Sequence, residues 1–363
     1  MLINNKHYRT IWANPLDPRV IETIDQRFLP HTFKTINLKH PDDFVFAISD
    51  MVVRGAPLIG ITAAYGLYSA LLHANENNAN EMLERAYNRL LNTRPTASNL
   101  KWALNMQMKA IGTGTTLSEK IQIALENAHR MAEEDIMTCR HIGQYGLSLI
   151  KDISKKKDGD PVNILTHCNA GWLATVDYGT ATAPVYMAHD LGIPVHVWVD
   201  ETRPRNQGAG LTAWELLHHG IPHTVIVDNA GGHLMQSGKV DICIVGTDRT
   251  LLNGDVCNKI GTYLKALAAF DNDVPFYVAL PSSTLDWETS ESSMIPIEER
   301  NIDEVKYVQG YDGNKTISVL VTPLESPASN FAFDVTPARL ITGLITERGV
   351  CHPDRESILA LFS

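Results

Sequence analysis

Residues 163–171 read Asn-Ile-Leu-Thr-His-Cys-Asn-Ala-Gly, a short apolar run that ends directly in polar residues and glycine. Similar runs recur through the second half of the chain, with helix-like stretches such as 211–219 and 262–270 between them. The runs cover 163–167, 195–200, 224–228, 242–248 and 276–280. Short apolar strands that alternate with helices are typical of βαβ units, so this pattern predicts a Rossmann-like parallel sheet covered on both faces.

The first part of the chain has the spacing of helices. Pro57 suits the first turn of one helix, and Thr116 with Glu119 forms a capping box for a long helix that extends to about residue 149. Residues 55–75 carry no acidic or basic side chain, but their prolines, glycines and polar groups favour a buried helix over a membrane span.

The stretch Lys155–Pro161 is the clearest break in these patterns, and we place a domain boundary near it. The sequence therefore predicts an α/β protein of two domains. Residues 1–150 form a mainly helical N-terminal domain with a short β segment, and residues 151–363 form the Rossmann-like C-terminal domain with a parallel sheet.

Composition excludes several classes of partner. The 363 residues include 31 Lys and Arg against 41 Asp and Glu, a formal net charge of -10. That balance argues against sequence-independent binding to nucleic acid and against docking on anionic membranes. Five cysteines without paired spacing indicate reduced thiols in a cytoplasmic protein. We therefore expect a small-molecule ligand, no nucleic acid and no membrane.

Polar and glycine residues follow four of the predicted strands, at 166–171, 200–203, 228–232 and 246–249. Because ligands of open α/β sheets bind beyond the carboxyl ends of the strands, this edge is the expected site. The glycine pattern of dinucleotide-binding turns and the Walker phosphate loop are both absent from the sequence, and the pair His218-His219 lacks zinc-ligand spacing. We predict no cofactor and no metal.

Two arginines stand at predicted helix starts, where an anion would meet free backbone N–H groups. Arg54 precedes Gly55, Ala56 and a helix, and Arg94 precedes a second helix. A phosphate site and an ordinary structural salt bridge are both compatible with these arginines.

Cys168 and Asp248 are the chemical candidates. Cys168 follows a strand and precedes a predicted helix, a setting that favours thiolate, although many buried cysteines only pack. Asp248 ends an apolar strand, where burial would raise its pKa and keep a proton available, although it could instead cap the next turn.

Taken together, these segments resemble the methylthioribose-1-phosphate isomerases, within the wider family that includes the alpha, beta and delta regulatory subunits of initiation factor 2B. The resemblance extends from about residue 50 to the C-terminus. The matching stretches are Arg54–Gly60, Arg94–Leu100, Ile164–Gly171, Asp200–Pro204, Gln207–Gly208, Leu211–Glu215, Asn253–Val256, Asn258–Tyr263, Ile295–Arg300 and Phe333–Pro337.

The resemblance implies roles for particular residues, a helical domain followed by a Rossmann-like domain, and a homodimer. Cys168 and Asp248 correspond to the family's catalytic pair. The positions that bind the sugar phosphate in that family correspond to Arg54, Gly55, Ala56, Arg94, Gln207, Asn258 and Lys259. The regulatory subunits generally lack this full set, so its presence favours an enzyme.

The implied activity is an aldose–ketose isomerisation of a 5-substituted ribose 1-phosphate to the ribulose 1-phosphate, without a redox cofactor or metal. C5 carries a methylthio group or, in 5-deoxyribose 1-phosphate, only hydrogen, so that C5 is then a methyl group in place of the hydroxymethyl. Cys168 could act as base in an enediol route or assist a hydride shift. The alternative is a non-catalytic regulatory subunit of the same fold that senses a sugar phosphate or nucleotide.

A few positions depart from the pattern common in the family. They are Trp172, Gly210, Asn229–His233, Thr247 and Phe331. These changes could tune recognition of the C5 substituent, and neutral drift explains any one of them as well.

Overall fold

The computed structural model describes residues 1–3 and 6–362. The chain starts with two small antiparallel sheets, β1 with β2 and the order β3-β4-β5. Their strands are β1 (Leu2–Ile3), β2 (Lys6–His7), β3 (Ile11–Ala13), β4 (Ile21–Ile24) and β5 (Thr35–Leu38). The predicted short β segment is therefore confirmed, and it extends to residue 38.

Five helices follow, as the sequence predicts for the N-terminal part. They are α1 (Pro41–Ser49), α2 (Ala56–Leu72), α3 (Ala79–Leu91), α4 (Ser98–Ile111) and α5 (Leu117–Ser154). All of α2 except its last residue is buried, and α2 packs against each of the other four helices. The uncharged stretch is thus a buried helix, and no helix among the described residues is long and apolar enough to cross a membrane.

Helix α5 begins with the predicted capping box, in which the Thr116 hydroxyl accepts from the Glu119 amide. The first half of α5 packs among the N-terminal helices, while Ile142, Leu147 and Ile150 join the core beside the large sheet. One helix therefore contributes to both hydrophobic cores. The domain boundary near residues 155–161 stays a prediction.

Asp135, on the inner side of α5, gives a prediction about stability. Burial raises its pKa to about 7, the nearby Asp177 adds to the rise, and its carboxylate accepts only one backbone hydrogen bond, from Val176 at 2.7 Å. Since the folded-state pKa exceeds the unfolded value of about 3.9, the stabilising contribution is full below pH 4 and is lost as pH rises to 7.

We expect Asp135→Asn, which keeps the acceptor oxygen but carries no charge, to raise the free energy of unfolding at pH 8 by up to about 4 kcal/mol. Urea unfolding at pH 4 and pH 8 measures this, and the gain should disappear at pH 4. Asp152→Asn, at an exposed position of the same helix, is the matched control and should change little. Equal urea midpoints for Asp135→Asn and the unmodified protein at pH 8 would contradict the prediction.

The rest of the chain builds a seven-stranded sheet of order β18-β17-β12-β9-β6-β7-β8, parallel except for the edge pair β17 and β18. Its strands are β6 (Val162–Thr166), β7 (Val195–Asp200), β8 (His223–Ile226), β9 (Ile242–Val245), β12 (Phe276–Ala279), β17 (Gly343–Thr346) and β18 (Gly349–Cys351). The helices are α6 (Ala183–Asp190), α7 (Ala213–His219), α8 (Ala230–Gln236), α9 (Thr262–Asp271), α10 (Asp303–Lys306) and α11 (Arg355–Phe362). All five predicted strands are present, so the α/β class with a Rossmann-like parallel sheet is confirmed.

Two further β elements lie next to this sheet and are absent from the sequence prediction. One is a four-stranded sheet of order β13-β10-β11-β16, and the other is the hairpin β14-β15. Their strands are β10 (Arg249–Leu251), β11 (Val256–Lys259), β13 (Leu285–Asp286), β14 (Tyr307–Tyr311), β15 (Thr316–Leu320) and β16 (Phe333–Thr336). Strand β11 carries Asn258 and Lys259, and β10 begins directly after Asp248.

Candidate active site

Cys168 lies just beyond β6, at the carboxyl edge of the sheet, and three polar groups hold it. Its backbone φ is 65°, in the left-handed region, and its amide donates to the Thr202 hydroxyl at 2.8 Å. Its carbonyl accepts from the Thr212 hydroxyl at 2.7 Å, and its thiol donates to the Gln207 side-chain oxygen at 3.2 Å. The thiol is therefore buried and held in one orientation.

Gln207 and Thr212 both contact Cys168, and the chain between them is wound as a π-helical turn. Residues 208–212 form this turn, in which the Ala213 amide donates to the Gly208 carbonyl, five residues earlier. Such turns are rare and occur often at functional sites. The sequence predicts one continuous helix over 211–219, whereas α7 begins only at Ala213, after the wider turn.

Asp248 follows β9, and its carboxyl accepts no hydrogen bond from any group in residues 1–3 and 6–362. Burial raises its pKa, and the positive charges of Lys259, Arg94 and Arg54 oppose that rise only in part. The alternative role of a turn cap belongs instead to Thr247, whose hydroxyl accepts from the Arg249 amide at 3.1 Å. Burial thus disfavours the charged form of Asp248, against the pull of the three cations.

Arg54 and Gly55 lead into α2 beside this cysteine. The Arg54 guanidinium donates to the side-chain oxygen of Asn169 and, at 2.7 Å, to its carbonyl. Within the described ranges Arg54 forms no ion pair with a carboxylate. Gly55 has φ 94°, and a Cβ there would lie 2.5 Å from backbone atoms of Ala174, so only glycine fits this approach.

Arg94 is 6% exposed, and its guanidinium is incompletely satisfied. Its Nε lies 3.4 Å from a Glu298 carboxylate oxygen, yet neither Nε nor Nη1 has a hydrogen-bond partner among the residues that the structure describes. Burial lowers its pKa, and Glu298 opposes the shift. Arg94 therefore forms an ion pair and still has two buried N–H-bearing nitrogens that lack a partner among the described residues.

Lys259 is the third buried cation. Its Nζ donates to the Ala332 carbonyl at 2.9 Å and lies 4.3 Å from the centre of the Phe333 ring. Burial lowers its pKa, while negative charge at Cys168 and Asp248 would raise it. Its neighbour Asn258 is also buried and donates to Thr262 at 3.0 Å.

Most of the residues predicted for the site line one small cavity of about 30 Å³. They are Arg54, Gly55, Ala56, Cys168, Asp248 and Asn258. Gln207 and Lys259 line an adjoining space that also includes Arg300. Arg94 lines neither space, although its charge acts on Asp248. The structure therefore brings the predicted residues to one edge of the sheet.

A larger cavity of about 480 Å³ adjoins the small one and shares Arg54 with it. Its walls include Gln207 and Gly210, the segment 26–31 before α1, and the hairpin β14-β15. Its apolar side chains are Phe28, Leu29, Pro30, Met51, Pro204, Leu211 and Tyr307. A Cβ at Gly210 would make ordinary van der Waals contact with Pro30, at 3.7 Å, so this wall could accept a small side chain.

Two buried polar side chains at the site are not singled out by the sequence analysis. His167 donates from Nε2 to the Ile260 carbonyl at 2.8 Å, and its Nδ1 lies 2.8 Å from Asp200. His167, Asp200 and Asp228 have the donor atoms of a metal site, but the Lys265 ammonium lies 3.2 Å from Asp200 and donates to the Asp228 carbonyl. The Asp200 carboxylate is thus paired with a cation of the chain itself, and the Asp228 carboxylate accepts from the backbone amides of Thr202 and Arg203.

The other missed group is Glu215, on α7. It is fully buried, which the sequence hides because a glutamate between helix-forming residues resembles a solvent-exposed one. The sequence does carry one signal: Glu215 lies near the start of an otherwise apolar helix, eight residues after Gln207.

Comparison with known proteins is consistent with this geometry. A family model described as the initiation factor 2 subunit family matches residues 52–353. A methylthioribose-1-phosphate isomerase of Brucella anthropi is 60% identical over 100% of this chain and 99% of its own length. One from Escherichia coli O45:K1 is 55% identical over 100% of this chain and 97% of its own length.

Two solved structures are similar over nearly the whole chain. The 5-methylthioribose 1-phosphate isomerase from Pyrococcus horikoshii OT3 has a TM-score of 0.83 at 38% identity and covers 98% of this chain and 96% of its own. The translation initiation factor eIF-2B, subunit delta, from A. fulgidus has a TM-score of 0.79 at 37% identity, with 98% and 99% covered. Coverage of this extent includes both the helical N-terminal part and the parallel sheet.

Proposed function

Because the chain belongs to the initiation factor 2 subunit family and, within it, to the methylthioribose-1-phosphate isomerases, we propose that it isomerises S-methyl-5-thioribose 1-phosphate to the ribulose 1-phosphate. The observation that carries this proposal is the environment of Asp248. A carboxyl group with a raised pKa and no hydrogen-bond donor within the described residues stands beside buried cations, which is what an acid catalyst next to a phosphate needs.

The chemistry explains why an acid is needed. A sugar 1-phosphate is a cyclic acetal and cannot open to the free aldehyde by itself. Asp248 gives its proton to the ring oxygen as the bond between that oxygen and C1 breaks. Hydrogen then moves from C2 to C1, the C2 hydroxyl gives up its proton and becomes a ketone, and that proton restores Asp248 to its acid form. Cys168 serves this transfer, as the base of an enediol route or as support for a hydride shift.

The cations bind the phosphate in this proposal. Arg94 supplies its two unpartnered nitrogens, and Lys259 supplies an ammonium group whose pKa is lowered by burial and would recover next to an anion. Arg54 and the first amides of α2 add the positive end of a 17-residue helix. Gln207 and Asn258 complete the polar contacts to the sugar phosphate.

The C5 substituent extends toward the 480 Å³ cavity in this proposal, where Met51 and Leu211 offer apolar surface. A methylthio group and the methyl group of 5-deoxyribose 1-phosphate both suit such walls. We therefore propose both sugars as substrates, with the larger apolar group preferred.

The test is phosphorus NMR of the protein with methylthioribose 1-phosphate and, in parallel, with 5-deoxyribose 1-phosphate. We expect both to give a ketose 1-phosphate, with kcat/KM about 10-fold or more higher for the methylthio sugar, since one extra apolar group is worth about that much. No conversion of either sugar, with saturable binding still present, would favour the sensing subunit instead. The Cys168→Ser protein serves as the blank.

The homodimer and the cytoplasmic location also stay predictions. Light scattering of the purified protein, with and without inorganic phosphate, measures the oligomeric state.

A further inference from the structure

We propose that Glu215 is a positioning residue of this site, which fixes the segment after Cys168 and acts through Asn169 on Arg54. This inference rests on the proposed function only for the role of Arg54 in binding the sugar phosphate. Glu215 itself lies on α7 and lines none of the cavities described above.

The Glu215 carboxylate is 0% exposed and accepts four hydrogen bonds. One oxygen accepts from the Asn169 side chain at 2.9 Å and from the Leu173 amide at 3.0 Å. The other accepts from the Trp172 amide at 3.2 Å and from the Tyr186 hydroxyl at 2.5 Å. Three of the four donors belong to the segment directly after Cys168, so one carboxylate fixes the path of that segment.

Glycine at position 171 is part of the same arrangement. A Cβ there would lie 1.7 Å from a Glu215 oxygen, a distance that no side chain could accept. The backbone therefore passes directly over the carboxylate. This close approach lets the two following amides point at one acceptor.

Asn169 carries the effect to Arg54. A side-chain amide has a donor end and an acceptor end, and here the NH₂ group faces Glu215 and Thr212 while the oxygen faces the guanidinium. Glu215 accepts only, so it determines which end of Asn169 faces Arg54. Among the described residues Arg54 has no carboxylate in direct contact, and Asn169 lies between it and the Glu215 carboxyl. Burial raises the pKa of Glu215, while the hydrogen bonds from Tyr186 and Asn169 and the positive charge of Arg54 lower it.

Glu215→Gln tests this assignment, since the new NH₂ group would face a backbone N–H in either orientation, of Leu173 or of Trp172, and in the first of them also the Asn169 NH₂ group. Each orientation disturbs the segment after Cys168 and favours release or reversal of the Asn169 amide. We expect the KM for methylthioribose 1-phosphate and the Kd for inorganic phosphate each to rise about 10-fold or more, with kcat falling less. The matched control is Tyr186→Phe, which removes a hydrogen bond to the same carboxylate without touching Asn169. Its KM and Kd should stay within about twofold of the unmodified values.

A double-mutant cycle separates positioning from general structural damage. In an Arg54→Ala background, Glu215→Gln should cause no further loss of phosphate affinity, because Glu215 affects phosphate binding only through Arg54 in this proposal. Additive losses, or an unchanged KM and Kd in a folded Glu215→Gln protein, would overturn the inference.

If that protein does not fold, Asn169→Ala removes the same link and should weaken phosphate binding similarly, while unchanged binding would overturn the inference. Failure of the unmodified protein to convert either sugar would count against the proposed function alone, since the phosphate measurements stand without turnover.

Discussion

Replacing Cys168 by serine should lower kcat by about a hundred- to ten-thousandfold while leaving the protein folded. Serine can keep the hydrogen bond to Gln207, and the backbone bonds to Thr202 and Thr212 do not involve the side chain. The local structure should therefore survive. A serine hydroxyl, however, loses its proton far less readily than a cysteine thiol, so it is a much poorer base for the hydrogen transfer between C2 and C1.

The measurement is the steady-state rate with methylthioribose 1-phosphate, accompanied by circular dichroism to confirm folding. Cys351→Ser is the matched control, because that thiol is partly buried in β18 and belongs to no part of the site. Its kcat should remain within about twofold of the unmodified value. A Cys168→Ser enzyme that retains a near-normal rate would remove the thiol from the mechanism.

Replacing Asp248 by asparagine should be at least as damaging, with kcat reduced by about a hundred- to ten-thousandfold. Asparagine has the same shape, and among the described residues Asp248 makes no side-chain hydrogen bond that the change would break, so the loss would come from the missing acidic proton. Burial raises the pKa of Asp248 above its ordinary value of about 3.9. Since the acid must be protonated to act, kcat/KM of the unmodified enzyme should fall as pH rises through that pKa.

A pH profile of both proteins checks the assignment. The residual rate of Asp248→Asn should lack the decline at higher pH that the unmodified enzyme shows. Asp255→Asn, in the turn between β10 and β11, keeps the acceptor for the Ala338 amide and serves as the control. If the Asp248→Asn protein shows the same alkaline decline, that decline belongs to another group.

The sequence predicts five of the seven strands of the central sheet because these five lie in mainly apolar runs bounded by polar or glycine residues, while the edge strands β17 and β18 are not predicted. Strands Val162–Thr166 and Val195–Asp200, for example, end within one residue of the expected position. The four-stranded sheet escapes prediction since it joins short segments far apart in sequence, with Val256–Lys259 paired to Phe333–Thr336. Pairing at that separation leaves little local signal.

The residues of the site divide in the same way, into those that the local sequence predicts and those that depend on contacts between distant segments. Cys168 and Asp248 can be predicted from the sequence because each follows a predicted strand, and residues in that position lie at the edge of the sheet where ligands bind. The π-helical turn after Gln207 and the buried carboxylate of Glu215 depend on which groups meet in three dimensions. Spacing along the chain indicates neither of them. Residue roles carried over from the family resemblance stay predictions until the variants above are measured.

The unpartnered guanidinium nitrogens of Arg94 have a consequence for the life of the protein in a cell. Although Arg94 pairs with Glu298, two of its buried N–H-bearing nitrogens lack an acceptor among the described residues, which destabilises the ligand-free fold, and a bound ligand at 100 times its Kd adds about 2.7 kcal/mol of stability. Proteases degrade the opened form of a protein, and the population of that form falls about tenfold for each 1.4 kcal/mol. The amount of intact protein in the cell would then rise and fall with the concentration of its sugar phosphate, without any change in gene expression.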